Sequence, residues 1–281
     1  MIKYYTRACN FKYGLTAKKL INAKKALPLC GNKNISFNEI EIITRNKKKI
    51  STKIINYKKT NLLSVSLRNK VRKDLKNITS KRKNFLNFVN FAEPSIMGIL
   101  NLTPDSFSDG GKYNKNNKSL KRITEMIQYG ANIIDVGGES TRPGSKTINP
   151  EIEWRRVKFV FKKFKKRHKK ICLSIDTRKS DLMTKSIKYG VDLINDVSGF
   201  NYDNNAIDKL KKYNIAKVLH HMQGTPNTMQ KNPYYKNVLL DIYDFFEKKI
   251  KKNFDNKKIV LDPGIGFGKN LKHNLTLISK I

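Results

Sequence analysis

Asn101, Asp135, Asp176, Asn195, His220 and Asp262 share a placement: each is the first polar residue after a short, mostly apolar run. A carboxylate or amide at the buried end of such a run must find a partner, or it stays unsatisfied at a cost of a few kcal/mol. A ligand with several N–H donors along one edge, such as an aminopyrimidine-type ring, would satisfy Asp176, Asn195 and Asp262 together. A carboxylate can accept two of those hydrogen bonds side by side. The alternative for a single member is local: Asp176, standing before Thr177-Arg178-Lys179, could cap the helix that follows. The amide oxygen of Asn101 suits a hard metal ion. His220 and His221 are adjacent, so in a strand they point to opposite faces and would not chelate one metal. A strand-end histidine is more often a structural hydrogen bonder. His168 and His273 are isolated, and no zinc site is expected.

The elements that position these residues follow from the runs themselves. Ile96–Leu100, Asn132–Ile134, Ile171–Ile175, Val191–Ile194, Ala216–Leu219 and Ile259–Leu261 have the length and continuity of strands buried on both faces. Between them lie helix-like stretches at Ser119–Tyr129, Pro150–Arg167, Lys179–Tyr189, Asn205–Tyr213 and Val238–Phe254. Strand and helix alternate, which predicts βα units on a parallel sheet. In barrels and in open α/β sheets alike, chemistry sits at the carboxyl ends of the strands, where these polar residues fall.

Two of the connections are rich in turn formers. Asn101–Gly111 reads as a loop of short polar side chains, and Asp135–Gly144 brings paired glycines beside Thr141 and Arg142. Thr141 and Arg142 offer a hydroxyl and a guanidinium to an anionic or polar ligand; spacing alone leaves open whether Arg142 instead pairs with Glu139. The Gly264–Lys269 stretch is not a phosphate loop, because Pro263 stands where a P-loop needs its first glycine. It is not a dinucleotide fingerprint either, since the third glycine would fall on Lys269. No strand end offers a nucleophile–base pair or a Schiff-base lysine. The inventory favours positioning and electrostatic stabilisation over covalent catalysis.

Composition bounds the partners. The 281 residues carry 59 basic and 22 acidic side chains, a net charge of +37. Residues 1–94 hold 23 basic and 4 acidic residues; residues 95–281 hold 36 and 18. The basic residues are mostly lysine, and Asn and Ile are also abundant, which is what AT-rich codons produce. No nucleic-acid-binding motif accompanies the charge, so nucleic acid is not the expected partner. Three cysteines without a CxxC pair exclude a disulfide framework and point to a reducing compartment. No run approaches the ~20 apolar residues that span a bilayer. Residues 1–94 form a basic N-terminal extension. Phe37–Thr44 and Lys53–Tyr57 suggest a β-hairpin, and Leu62–Asn87 a helix or a linker.

Six segments, in order, resemble the dihydropteroate synthase family: MGILNLTPDSFSDGG (Met97–Gly111), DVGGESTRPGS (Asp135–Ser145), SIDTRKS (Ser174–Ser180), INDVSG (Ile194–Gly199), HMQGTPNTMQ (His221–Gln230) and LDPGIGFGKN (Leu261–Asn270). The resemblance covers residues 96–281. It implies a TIM (β/α)8-type barrel with about six of its eight βα units present. It implies a cytoplasmic transferase of folate biosynthesis that condenses 6-hydroxymethyl-7,8-dihydropterin diphosphate with 4-aminobenzoate to 7,8-dihydropteroate, releasing diphosphate. It further implies Mg²⁺ at Asn101 and a pterin pocket of Asp176, Asn195 and Asp262. Thr141 and Pro143 of the second loop would bind substrate, as would Phe107 of the first loop, Met222 and Phe267. Asp176, Asp262 and Arg142 carry the catalytic assignments. The family's Ser-x-Lys motif after strand seven and Arg-x-His motif after strand eight have no counterpart before Ile281. A closed barrel would need about 60–80 further residues, so a fragment of a longer enzyme or a decayed product is expected. Homodimers, common in the family, are expected only of a complete chain. A pterin-dependent methyltransferase barrel, with a corrinoid partner, and a non-catalytic pterin-binding fragment are the alternatives.

Overall fold

The computed structural model describes residues 2–47, 49–103, 115–140, 145–253 and 258–280. Two compact units divide between Lys83 and Asn84, ahead of the composition change at residue 94.

The first unit runs β1 (Ile2–Tyr13), α1 (Gly14–Asn22), β2 (Leu27–Leu29), β3 (Asn32–Asn46), β4 (Lys49–Asn56), a 3-10 turn (Tyr57–Leu62) and α2 (Val65–Thr79). β3 is its axis, antiparallel to β1, β2 and β4. Ala8, Phe37, Ile40, Ile42, Leu63 and Val71 form the core. Polar ties reinforce it: Thr6 Oγ1 donates to Asp74 Oδ2 at 2.8 Å, and Arg7 Nε pairs with Glu41 across β1 and β3 at 2.8 Å.

The second unit begins with residues 84–95 and continues as β5 (Ile96–Asn101), α3 (Lys115–Gln128), β6 (Ala131–Gly137), α4 (Pro150–Arg167), β7 (Cys172–Asp176), α5 (Ser180–Ile187), β8 (Leu193–Asp196), α6 (Ala206–Lys211), β9 (Ala216–His220), α7 (Val238–Asn253), β10 (Ile259–Asp262) and α8 (Leu271–Lys280). The six strands form one parallel sheet in the order β10-β9-β8-β7-β6-β5, the arrangement of six consecutive units of a TIM-type barrel. Each strand includes the polar residue that closes its apolar run, because the ladder of backbone hydrogen bonds does not stop where hydrophobicity does.

Strand alternation sorts the side chains. Ile134, Val136, Leu173, Ile175, Ile194 and Leu219 face the helices and pack in one large core with Val157, Phe161, Phe164 and Leu182. The opposite parity faces the barrel interior. At the amino ends of the strands it places Ile133, Cys172, Leu193, Ala216 and Val218, closed from below by Leu86 and Val89, with Phe85 and Phe91 against them. Residues 84–91 therefore belong to the barrel as its floor. At the carboxyl ends the same parity delivers Asn101, Asp135, Ser174, Asp176, Asn195, His220 and Asp262.

The best-marked helix is α4. Its Asn149 cap accepts from Glu151 N at 2.8 Å, Pro150 opens the first turn, and Glu151 and Glu153 precede Lys165–Arg167 along the dipole. Trp154, Val157, Phe161 and Phe164 give it one buried face. Among the described residues, β5 pairs only with β6 and β10 only with β9. Apolar side chains lie exposed on the same margins: Ile99 on β5, Leu261 on β10, and Leu271, Leu275 and Ile278 on α8.

Candidate functional site

The register of the parallel ladder builds the site. Asn101 pairs with Gly137, Gly137 with Asp176 and Asp176 with Asn195; His220 pairs with Asp262. One row across four strand ends thus sets two amides and a carboxylate around a position that has no side chain, and His220 and Asp262 stand two residues further along their strands, because Asn195 is level with Val218 and Val218 with Val260. A Cβ on Gly137 would lie 3.2 Å from Asn101 Oδ1 and 3.4 Å from Asp176 Oδ2. The glycine leaves a cradle with one oxygen on either side.

Directly below the row, Asp135 is paired with Ser174 on the neighbouring strand. Its Oδ2 accepts from Asn195 Nδ2 at 2.8 Å. Its Oδ1 and Asn195 Oδ1 are buried without a close hydrogen-bond partner among the described residues, and the Ser174 hydroxyl beside the carboxyl favours its charged form. A cluster of orphaned polar atoms is expensive in a core and ordinary in a site. Burial holds the Asp135 carboxyl above the usual range. Asp176 is held well above it, by burial first and then by the negative charge of Asp135, Asp196, Glu153 and Glu139. Two neighbouring buried carboxyls therefore resist being ionised together. Asp135 was not among the residues expected to bind ligand. Its signal in the sequence is a carboxylate set between Ile133-Ile134 and Val136.

Asp176 does not cap α5. That helix starts from Lys179, without a side-chain cap, and Asp203 Oδ2 takes the Ser180 N–H at 2.9 Å. Asp196, next to Asn195, shapes its loop by accepting from Ser198 N at 2.7 Å and Phe200 N at 3.1 Å. Burial pushes it up to about 6.

On the rim, Glu139 is the hub of a buried ion network. Its Oε2 takes Arg178 Nη2 at 2.8 Å, its Oε1 takes Lys179 Nζ at 3.0 Å, and Lys179 also bonds Glu153. Glu139 Oε1 further accepts from Ile148 N at 3.0 Å, and Ser145 Oγ reaches Ser140 O at 2.6 Å. The ends of the second loop are thereby tied to each other, to the turn between β7 and α5 and, through Lys179, to Glu153 of α4. Tyr202 stacks on the Arg178 guanidinium, 4.3 Å from ring centre to Cζ.

Across the mouth, Asp262 Oδ1 accepts from Gly264 N at 2.8 Å. Its Oδ2 is 3.9 Å from His220 Nε2. The His220 ring meets Phe267 edge-on, with centroids 4.8 Å apart. Gly264 has φ +68°, and a Cβ there would lie 2.0 Å from the His221 carbonyl oxygen. The glycine-rich stretch is turn chemistry that wraps the mouth and not a phosphate cradle. His221 faces the other way, ring against ring with Phe245 and Tyr235. Its Nδ1 lies 3.2 Å from Lys269 Nζ. Burial, and then the Lys269 charge, lower His221 to about 3; burial lowers Lys269 to about 8.

The structure thus brings Asn101, Asp176, Asn195 and Asp262 to one end of one barrel. Phe267 stands beside them on the His220 ring. Met222 lies half-buried in the loop just past β9. Phe107, Thr141, Arg142 and Pro143 lie outside the described residues. Among the described residues, no three His, Cys, Asp or Glu side chains gather as a metal cluster, and no helix is long and apolar enough to cross a membrane.

Parallel strands, helices between them and orphaned acceptors at the strand ends define a TIM-type α/β-barrel enzyme with a polar mouth. The pterin binding enzyme family matches residues 97–281. The dihydropteroate synthase of Escherichia coli (strain K12) is 40% identical over 197 residues, covering 69% of this chain and 69% of that protein. The Yersinia pestis dihydropteroate synthase, solved with a sulfonamide drug complex, superposes with a TM-score of 0.63 at 40% identity, covering 68% of this chain and 70% of that one. The Xanthomonas albilineans dihydropteroate synthase, solved with 4-aminobenzoic acid, gives 0.61 at 32% identity, covering 68% of each chain. The chain belongs to the pterin binding enzyme family and, within it, to the dihydropteroate synthases, transferases of folate biosynthesis.

Proposed function

We propose that the mouth of this barrel holds a dihydropterin and directs its condensation with 4-aminobenzoate. The observation that carries the reading is the row of Asn101, Asp176 and Asn195 around Gly137, with Asp135 Oδ1 and Asn195 Oδ1 left without partners among the described residues. A flat heterocycle with N–H donors along one edge is the complement of that row. Asp262, Asn195 and Asp176 accept its donors. The same carboxylates stabilise positive charge developing on the pterin methylene as its C–O bond to diphosphate breaks. The amine nitrogen of 4-aminobenzoate then forms the new C–N bond and loses a proton. Thr141, Arg142 and Pro143 of the second loop, and Phe107 of the first, supply the anion contact and exclude water that would trap the cation.

Mg²⁺ fits the cradle over Gly137, where Asn101 Oδ1 stands across from Asp176 Oδ2. One or two protein oxygens, with phosphate oxygens completing the shell, is the usual manner of holding this ion. Bound there through Asn101, it would supply positive charge to the leaving diphosphate. A cytoplasmic location suits both the reducing environment implied by unpaired Cys9, Cys30 and Cys172 and the reaction itself.

The test is equilibrium binding of dihydropterin diphosphate to the wild-type chain and to Asp176→Asn and Asp262→Asn, with diphosphate release measured alongside. Each substitution removes charge-assisted hydrogen bonds worth about 1.5–3 kcal/mol, so affinity falls roughly 10- to 150-fold. Unchanged affinity in both variants overturns the pocket.

A further inference from the structure

We infer that His220 is a further substrate-contacting residue, and that its Nε2 is the acceptor that completes the pterin-recognising wall beside Asp262. This rests on the pocket reading above and adds a residue to it.

The argument starts from parity. Ala216 and Val218 of β9 face the barrel interior, so His220 faces it too, opposite Asp262 in the ladder. The ring is then fixed on three sides. His220 Nδ1 lies 2.8 Å from the Val197 carbonyl oxygen. A carbonyl can only accept, so Nδ1 carries the proton, and a neutral ring must present Nε2 as a bare lone pair. Phe267 packs edge-on against the ring. Gly264 clears the space on the remaining side, where any Cβ would come within 3.1 Å of both Cε1 and Nε2.

The remaining neighbour is Asp262, whose side chain is 44% exposed against 3% for the imidazole. There Nε2 and Asp262 Oδ2 stand 3.9 Å apart, a lone pair facing a carboxylate with no proton between them. Two acceptors so placed are complementary to N–H donors on one ligand edge. Burial keeps the imidazole in this accepting form: it lowers His220 below its ordinary value, the Lys269 charge acts the same way, and Asp262 opposes both. Acid reverses the role. A protonated Nε2 donates to Asp262 and takes away an acceptor the ligand needs.

Two substitutions separate the nitrogens. His220→Asn keeps an amide at the place of Nδ1, and with it the tie to Val197, but deletes Nε2. His220→Gln reaches the place of Nε2 but gives up the tie. The probe is 6-hydroxymethylpterin, titrated fluorimetrically at pH 7.5 and pH 5.5, with a denaturant melt of each variant and Asp262→Asn as reference. His220→Asn should weaken binding roughly three- to tenfold, the range of one hydrogen bond, with little change in stability. His220→Gln should bind within about threefold of wild type and melt earlier. The weakening of wild-type binding at pH 5.5 should shrink in both variants. A His220→Asn variant that binds as tightly as wild type, or a wild-type acid response undiminished in both, overturns the assignment of His220 while Asp262→Asn still shows the pocket; the part of the response that Asp176 carries remains in every variant. A wild-type chain that binds no better than Asp262→Asn overturns the pocket itself, and this inference with it.

Discussion

The two ends of the barrel interior are made by the same strands and read by opposite rules. At the amino ends, Ile133, Cys172, Leu193, Ala216 and Val218 meet Leu86 and Val89 and leave nothing polar to satisfy. A few residues further along each strand, the inward positions become Asp135, Ser174, Asp176, Asn195 and His220, and among the described residues Asp135 Oδ1 and Asn195 Oδ1 are buried without a partner. One end contributes stability by removing apolar area from water; the other retains polar groups that weaken the fold and suit a ligand. The division of labour lies along each strand and not between elements.

The rim network gives the sharpest way to break this separation, because Glu139 ties the mouth to the scaffold. Glu139→Ala leaves Arg178 and Lys179, both buried, short of a counter-charge. Removing one partner of such a pair costs about 3–5 kcal/mol. Stability by urea denaturation should fall by that amount, and pterin affinity should fall with it, because the second loop loses its anchor at Ile148. A stability loss below about 1 kcal/mol would show that the network contributes little to the scaffold.

The floor should respond to one measurement only. Leu193 is 1% exposed in the interior layer above Leu86 and Val89. Leu193→Ala should cost about 2–5 kcal/mol, transfer and cavity together, while pterin affinity of the folded fraction stays within about twofold. A large affinity loss would show that the floor shapes the mouth and that the two ends are not separable.

Much of this was legible in the sequence because the apolar runs are continuous and each ends on a hydrogen-bonding residue. Asn101, Asp176, Asn195 and Asp262 fall at the strand ends where that pattern puts them, and α4 keeps the bounds Pro150–Arg167 that its Asn-Pro start and basic last turn mark. Less legible was parity. A strand buried on both faces has no polar–apolar alternation to show which side is which, so Asp135 reads as a residue that closes a run without a ligand role and His220 as a structural histidine. The first unit was harder still. β1 carries Lys3, Arg7 and Lys12 among its apolar residues, and its partners on β3 lie more than 20 residues away (Tyr13 faces Ile35), so no local turn announces the pairing. Residues 84–91 carry no charge, but they follow the basic stretch that makes Leu62–Asn87 read as a helix or linker, and they become the floor because the barrel offers their Phe, Leu and Val an apolar hollow.

The smallest expected effect is also the one of opposite sign. Asp135→Asn keeps an oxygen for Asn195 Nδ2 and removes a buried carboxyl that burial already holds above its ordinary value. A raised folded-state pKa means that folded protein holds its proton where unfolded protein has released it. Ionisation then disfavours the fold progressively as pH rises from the unfolded value near 3.8 through the folded one, and the full penalty stands above both. The variant should therefore be more stable than wild type at pH 7.5, by about 1 kcal/mol, or roughly 2–4 °C in Tm for a unit of this size. The gain should shrink toward pH 4, where wild type no longer pays the penalty. Relieved of one neighbouring negative charge, Asp176 should ionise at lower pH, so pterin binding should hold to more acid conditions than in wild type. A variant less stable at pH 7.5, or a gain independent of pH, would mean that Asp135 is a satisfied structural carboxylate and that the polar layer above the floor is part of the scaffold.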